Sequence, residues 1–153
     1  MKYPIGIQNF EEIRRNGYVY VDKTRWMWKM IDEGKYYFLS RPRRFGKSLM
    51  VSTLESFFSG QRELFKGLYA DTVEWEWQQY PILHIDLNTE KYDSAEALMI
   101  VLERTMRRWE KKYPPDMIEK TIAGRFESVI EAAYSKTGRQ VVILVDEYDK
   151  PLL

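Results

Sequence analysis

The sequence predicts an α/β fold, in which a parallel β-sheet carries helices on its faces. Two observations indicate this class. Apolar segments of strand length at 36–40, 82–87 and 140–145 alternate with longer segments whose apolar residues recur at helical spacing. The last strand includes Val141–Val145, which is apolar at every position, as is typical of a strand buried on both faces. Strands that alternate with helices imply parallel pairing.

The composition fits one soluble domain with an apolar core. The chain has 153 residues, of which 44% are hydrophobic. Because it has no cysteine, disulfides and thiolate metal sites are excluded, and a reducing, cytoplasmic location is expected. A net charge of +1 gives no general attraction to nucleic acid. The longest aliphatic run, 141–145, is far shorter than the roughly 20 residues of a membrane span, so no membrane partner is expected.

Two helices are predicted in the first part of the chain. A short polar helix ends at Gly17, and residues 18–21 have the composition of a strand. Asp22 or Thr24 then caps a helix that Gly34 stops. No linker is visible further on, and we expect a single unit.

The next stretch combines a strand, a loop and a helix. Residues 36–40 form the strand, Pro42 keeps the following loop from being helical, and a helix runs from Gly46 to about Phe58. The apolar side of this helix is predicted to comprise Leu49, Thr53, Leu54, Phe57 and Phe58. The aromatic-rich segment 64–77 is expected to pack against the core.

The second half of the chain is predicted to contain two helices between two strands. After the strand Ile82–Leu87, Asp93 and Glu96 resemble a capping box that opens the first helix. Pro115 sits in the first turn of the second helix, which leads to the strand Gln140–Val145. The predicted buried faces are Leu98, Leu102, Met106 and Trp109 on the first helix and Ile118, Ile122, Phe126, Val129 and Ala133 on the second.

One chemical signal is the run Phe38–Ser48, FLSRPRRFGKS in one-letter code. A phosphate-binding loop needs a strand, a turn of backbone N–H groups and a helix whose N-terminus points at the anion. It also needs a lysine for the β- and γ-phosphates and a hydroxyl for Mg²⁺, and Lys47 and Ser48 stand at these positions after Gly46. The glycine that usually begins such a loop is replaced by Arg41.

The same run is strongly basic. Four positive charges fall within seven residues, at Arg41, Arg43, Arg44 and Lys47. Guanidinium groups bind phosphate well, so Arg43 or Arg44 is interpreted as neutralising a nucleotide. A solvated basic turn and a contact with a nucleic acid backbone are the alternatives.

The second chemical signal is an acidic pair at the end of the last strand. Asp146 and Glu147 directly follow the apolar residues 142–145. Functional residues of open α/β sheets gather at the carboxyl ends of strands, and both signals lie at such ends. Asp146 is suited to hold Mg²⁺ through water, and Glu147 to orient and deprotonate an attacking water. The two segments are therefore expected to meet at one rim of the sheet.

Four separated motifs, Pro4–Gln8, Tyr20–Thr24, Arg41–Leu49 and Asp146–Pro151, are also similar to those of a known family. With them the whole chain resembles the predicted AAA-ATPase-like family, whose phosphate loop likewise lacks the first glycine. The resemblance implies a P-loop NTPase fold of the AAA-like (ASCE) type. It places a Walker A motif at 41–48 and a Walker B motif at 142–147 within a domain spanning residues 1–153.

The resemblance also implies ATP and Mg²⁺ as cofactors. Lys47 and Glu147 are the expected catalytic residues, and Ser48 and Asp146 the expected metal ligands. The residues expected to bind the nucleotide are Arg41, Arg43, Arg44, Phe45, Gly46, Lys47, Ser48 and Leu49. For the motif Tyr20–Thr24 two interpretations stay open, a helix cap and a wall of the adenine pocket.

We further expect the chain to be the N-terminal part of a longer protein. In ATPases of this class a later strand lies between the phosphate-loop strand and the acidic strand. An unfilled slot leaves backbone groups unpaired, so a homo-oligomer or completion by another chain is expected. Members of the family typically add a C-terminal nuclease-like domain of the PD-(D/E)XK type, through which nucleic acid becomes an expected partner.

Three functions follow from these observations. ATP binding with Mg²⁺-dependent hydrolysis that drives a conformational change in the intact protein is the leading one. A non-hydrolysing nucleotide switch or scaffold is the second, and the presence of Glu147 argues against it. Nucleic-acid binding through the basic loop 41–47 is the third; it predicts a steep dependence on salt, and the near-neutral net charge disfavours it.

Overall fold

The computed structural model describes residues 1–34, 46–88 and 93–147. The chain divides into two compact units, Met1–Gln79 and the part from Tyr80 onward. Their boundary carries no linker signal, since the sequence Gln-Gln-Tyr-Pro at 78–81 has no glycine or serine. For that reason a single unit was the expectation from the sequence. Each unit has its own apolar cluster.

The first unit is helical in the residues that the structure describes. Its helices are α1 (Phe10–Arg15), α2 (Thr24–Glu33) and α3 (Lys47–Phe58), followed by 3-10 turns at Arg62–Phe65 and Tyr69–Thr72. The three helices confirm the helical segments expected before Gly17, before Gly34 and after Gly46. The strand expected at 18–21 is wrong, because only Tyr18 pairs, in an isolated bridge with Lys2.

Aromatic residues fill the core of the first unit. Phe57 of α3 is fully buried, stacks on Trp75 with ring centroids 4.9 Å apart, and meets the edge of Trp77 at the same distance. The expected packing of segment 64–77 is thus confirmed. The buried residues of this cluster are Phe10, Met27, Met50, Phe57, Leu64, Phe65, Leu68 and Ala70.

The buried side of α3 differs slightly from the predicted one. Met50, Thr53 and Phe57 form its centre, and Leu49, Leu54 and Phe58 are only partly buried at its margins. The helix ends before Gly60, whose φ of +75° suits glycine. A Cβ on Gly60 would lie 2.7 Å from the Trp77 carbonyl oxygen, so the chain approaches itself too closely there for any side chain.

The second unit has the predicted order of strand, two helices and strand. Its elements are β1 (Ile82–Asp86), α4 (Ala95–Lys112), α5 (Ile122–Thr137) and β2 (Val142–Asp146). The strands pair in parallel, in a register that runs from Ile82 opposite Val142 to Asp86 opposite Asp146. This confirms the α/β class and the parallel pairing, whereas the strand predicted at 36–40 lies outside the described residues.

Both helix starts in the second unit differ from the prediction. α4 is capped by Ser94, whose Oγ accepts a hydrogen bond from the Ala97 amide, and Asp93 lies one residue earlier. α5 begins at Ile122 because the Thr121 hydroxyl accepts from the Gly124 amide and supplies a cap there. The helix predicted to begin near Pro115 is therefore wrong in its first turns, and Ile118 is exposed.

The helices cover β1 more completely than β2. Leu83 and Ile85 belong to the cluster formed with α4 and α5. Their register partners Ile143 and Val145 point to the same face, yet 39% and 41% of these residues are exposed. The prediction that this strand is buried on both faces is wrong, because Ile143 and Val145 are exposed and, among the described residues, β2 pairs with β1 alone. No helix in the described ranges is both long and apolar enough to cross a membrane.

Candidate functional site

The residues Gly46, Lys47 and Ser48 form the start of α3. Gly46 precedes the helix with φ 83° and ψ 16°, a left-handed conformation that glycine adopts without steric cost. The first intrahelical bond runs from the Met50 amide to the Gly46 carbonyl, at 2.9 Å. The first turn contains no acidic residue. The positive end of the helix dipole is therefore not offset by a carboxylate in that turn, which suits an anion.

A second lysine lies beside this helix start. A Cβ placed on Gly46 would be 3.7 Å from the Nζ of Lys23. Lys23 directly precedes α2, and the sequence analysis did not single it out as a binding residue. The signal that would have pointed to it is the motif Tyr20–Thr24, whose role stayed open because it depends on tertiary contacts.

The neighbours of Lys23 are held by hydrogen bonds. One Asp22 carboxylate oxygen accepts from the Thr24 amide at 2.8 Å and from the Thr24 hydroxyl at 2.6 Å. The other accepts from the Tyr69 amide at 2.8 Å, and the fully buried Thr24 hydroxyl accepts from the Ala70 amide at 3.0 Å. The motif thus joins the start of α2 to the 3-10 turn at Tyr69–Thr72. Asp22 accepts from the amide of the first helical residue, whereas the N-cap residue Lys23 makes no side-chain cap hydrogen bond.

These contacts change two pKa values. Burial raises the pKa of the Asp22 carboxyl, but the hydrogen bonds from Thr24 and Tyr69 outweigh burial and hold that pKa below its ordinary value. Burial raises the pKa of Tyr20, and hydrogen bonds with the Thr53 side chain and the Lys23 backbone offset part of the rise. Since Thr53 belongs to α3, Tyr20 connects the segment that bears Lys23 to that helix.

The acidic residues lie at the carboxyl ends of the strands in the second unit. Asp146 is the last residue of β2, is buried, and accepts a hydrogen bond from the Glu147 amide at 3.0 Å. Its register partner is Asp86, an exposed residue at the end of β1 that the sequence analysis did not propose. Paired residues of parallel strands point to the same face, so the two carboxyl groups share one side of the sheet.

Glu147 has an unusual backbone conformation. Its φ is +57°, in the left-handed region that few residues other than glycine adopt. Outliers of this kind are found preferentially at functional sites, where the surroundings hold a side chain in one orientation. Glu147 therefore has a constrained backbone directly beyond the end of β2.

The chemistry of these side chains fits Mg²⁺. This ion prefers oxygen ligands and is usually held by one or two carboxylates, with waters and substrate phosphates completing the shell. Asp146 with Asp86 is a donor set of that type. In the described ranges, no group of three or more histidine, cysteine, aspartate or glutamate residues lies together as a metal site made of protein alone.

The remaining predicted residues divide into two sets. Leu49 lies on the first turn of α3, where its side chain packs partly buried against the first cluster and its carbonyl accepts from the Ser52 and Thr53 hydroxyls. The Leu49 side chain therefore belongs to the packing of the first unit. The other residues proposed to bind a nucleotide, Arg41, Arg43, Arg44 and Phe45, lie outside the described residues.

Comparison with known proteins places the chain in a family. A family model described as "Predicted AAA-ATPase" matches residues 4–153. A protein of Azotobacter chroococcum mcd 1, known as "Uncharacterized protein in vnfD 5'region", is 40% identical over 154 residues, which cover 99% of this chain and 30% of that protein. The chain thus spans under a third of the relative's length. No solved structure matches it. With this match over nearly its whole length, the chain belongs to the AAA-ATPase-like family of predicted AAA-ATPases.

Proposed function

We propose that the chain binds ATP together with Mg²⁺ and that the protein containing it hydrolyses ATP to drive a conformational change. The observation that carries this proposal is the start of α3, where Gly46 in a left-handed conformation is followed by Lys47 and Ser48 in a member of this family. In the proposed P-loop NTPase domain, 41–48 is the Walker A motif and 142–147 the Walker B motif.

The phosphates are assigned to residues of the first unit. Lys47 binds the β- and γ-phosphates, and the N-terminus of α3 supplies a favourable dipole. Lys23 adds a second ammonium group, supported by its position beside Gly46. The expected arginines, Arg43 and Arg44, contribute guanidinium groups to the same phosphates.

The metal and the water are assigned to acidic residues and a hydroxyl. Asp146 and Ser48 hold Mg²⁺, with Asp86 as an added candidate because it is the register partner of Asp146. When bound, Mg²⁺ neutralises charge on the phosphate oxygens. Glu147 orients the attacking water and accepts its proton, a role supported by its constrained backbone.

Titration with labelled ATP and GTP, with and without Mg²⁺, tests the binding proposal. The wild-type chain is expected to bind ATP, and Lys47→Ala to lose at least tenfold in affinity, since one charged contact to phosphate contributes about 1.5–3 kcal/mol. Lys29→Ala is the matched control, because Lys29 is an exposed lysine of α2 outside the proposed site. Equal affinities of wild type and Lys47→Ala would remove the central assignment.

The variant Glu147→Gln tests ATP hydrolysis separately. It keeps the size of the side chain but removes the carboxylate proposed as the general base. Phosphate release is expected to fall by about 10²–10⁴-fold, the usual contribution of a general base, while ATP affinity stays within about threefold. Unchanged release would exclude Glu147 as the base. A wild-type protein that binds Mg²⁺ and ATP without releasing phosphate would favour the nucleotide-switch alternative.

A further inference from the structure

In the second unit, α4 carries two faces. Val101, Met106 and Trp109 on one face are buried in the cluster with β1 and α5. Residues of the opposite face line an open groove of about 770 Å³, together with the residues that lead into α5. The residues that line this groove include none of those assigned to ATP or Mg²⁺, so an inference about the groove does not depend on the proposed ATPase function.

Part of the groove lining is apolar. Met99 is 48% exposed and Ile100 is 60% exposed, although both are large apolar residues. Met117 and Ile118, which lie two to three residues before the groove residues 120–122 in the chain, are 70% and 77% exposed. Four such residues within twenty positions are more than scattered surface apolar residues usually provide, and exposed apolar groups with a polar rim mark interaction sites.

The groove lining also contains several basic residues. Arg104, Arg107 and Lys120 line it, and Glu103 is the acidic residue among its lining residues. The Glu103 carboxylate already accepts from Arg107 at 3.1 Å and forms a short ion pair with the buried Arg125. The groove lining therefore combines an excess of positive charge with exposed apolar residues.

We propose that this groove docks an acidic amphipathic segment of a partner polypeptide. The apolar side of such a segment covers Met99 and Ile100, while its carboxylates pair with Arg104 and Lys120. Helices bind grooves in this way, with apolar anchors spaced three and four residues apart. A nucleic acid fits less well, because its phosphates leave the exposed Met99 and Ile100 uncovered.

The probe for this proposal is a fluorescein-labelled peptide of fourteen residues with leucine at helical a and d spacing and glutamate elsewhere. Its anisotropy is measured against the chain and three variants. Saturable binding to wild type is expected, and both Ile100→Asp and Arg104→Glu should weaken it at least tenfold. The matched control is Arg108→Glu, an exposed residue of α4 outside the groove lining, which should stay within twofold. Circular dichroism checks that each variant folds.

A charge exchange supplies a second measurement. A peptide in which two glutamates are replaced by lysine should bind Arg104→Glu more tightly than it binds wild type. The proposal is overturned if wild type shows no saturable binding of the acidic peptide, or if Arg108→Glu weakens binding as much as Arg104→Glu. It is also overturned in favour of a nucleic acid if a twelve-nucleotide single strand binds more tightly than the peptide and Ile100→Asp leaves that binding unchanged.

Discussion

At the scale of single residues, Lys23 tests whether the segment before α2 is part of the proposed phosphate site. If its ammonium contacts the phosphates of ATP, Lys23→Met should lower ATP affinity by about tenfold, as expected for loss of one charged contact. Lys23→Arg should recover most of that affinity, because a guanidinium group also binds phosphate. A nucleotide titration measures both values.

The control for Lys23 is Lys29→Met, an exposed lysine of α2. It should bind ATP as wild type does. If Lys47→Ala abolishes ATP binding while Lys23→Met leaves it intact, the assignment of Lys23 to the phosphates is wrong. The assignment of Lys47 to the phosphates is then retained. If the wild-type chain binds no nucleotide, the proposed function fails as a whole.

Asp22 gives a pH dependence of stability whose sign follows from its pKa. Its folded pKa is lower than the unfolded value, so the unfolded state binds more protons as the pH falls. The contribution of Asp22 is fully present above the unfolded pKa and is lost as the pH falls through the folded pKa. At neutral pH, Asp22→Asn should therefore lower the free energy of unfolding by about 0.5–1 kcal/mol, because the exposed side chain loses one of its two acceptor oxygens and its charge.

Urea unfolding of wild type and Asp22→Asn between pH 2 and 7 measures this effect. Four of the five tryptophans lie in the first unit, so tryptophan fluorescence reports mainly on the unit that contains Asp22. The difference between the two proteins should be constant near neutrality and should narrow in acid. A difference that stays the same at all pH values would show that the carboxylate charge plays no part.

At the scale of the elements, Arg125 joins α5 to α4. Its Nη2 lies 2.5 Å from a Glu110 oxygen, its Nε donates to the other oxygen at 3.2 Å, and it also pairs with Glu103. The Glu110 side chain is only 13% exposed. Arg125→Met should therefore destabilise the second unit by about 3 kcal/mol, because removing one partner leaves a buried charge uncompensated.

The comparison for Arg125 is another arginine that pairs with the same glutamate. Arg107 contacts Glu103 at 3.1 Å, but its side chain is 75% exposed. Arg107→Met should change stability by less than about 0.5 kcal/mol, as surface ion pairs usually do. Denaturation followed by far-ultraviolet circular dichroism measures both. Equal losses for the two variants would mean that burial does not set the strength of this network.

The accuracy of the sequence prediction also differs between elements for physical reasons. Most of each of the helices α2 to α4 was predictable because their apolar residues repeat at helical spacing. The strand expected at 18–21 failed because β-propensity describes fit to a half-buried sheet surface, and here hydrogen bonds from Tyr69 and Ala70 fix the neighbouring Asp22 and Thr24 instead. The start of α5 failed because Thr121 is a stronger local signal than Pro115.

At the scale of the whole molecule, residue spacing shows where a motif lies in the chain. It does not show which distant residues lie beside that motif in the fold. The positions of Gly46–Ser48 and of Asp146 were predictable because each follows a local pattern of apolar residues and turn residues. Lys23 and Asp86 were not, since their places beside Gly46 and opposite Asp146 depend on tertiary packing and on strand register. Local sequence patterns predict neither tertiary packing nor strand register.

The proposed function draws on both units, because Lys47 belongs to the first and Asp146 to the second. A ligand that binds only the native state stabilises it by about 2.7 kcal/mol at a hundred times its Kd. ATP with Mg²⁺ should therefore raise the melting temperature of the wild-type chain. Lys47→Ala should lose the whole rise, and Asp146→Asn only the part that requires Mg²⁺.

Comparing each variant with and without ligand separates binding from any direct loss of stability, which matters because Asp146 is buried. Residues that act on one ligand give non-additive effects. The double variant Lys47→Ala/Asp146→Asn should therefore show no smaller ligand-induced shift than Lys47→Ala alone. If Asp146→Asn keeps the full rise in melting temperature caused by Mg²⁺, other residues hold the metal. The assignment of Asp146 to the nucleotide site is then wrong, whether or not Lys47 binds phosphate.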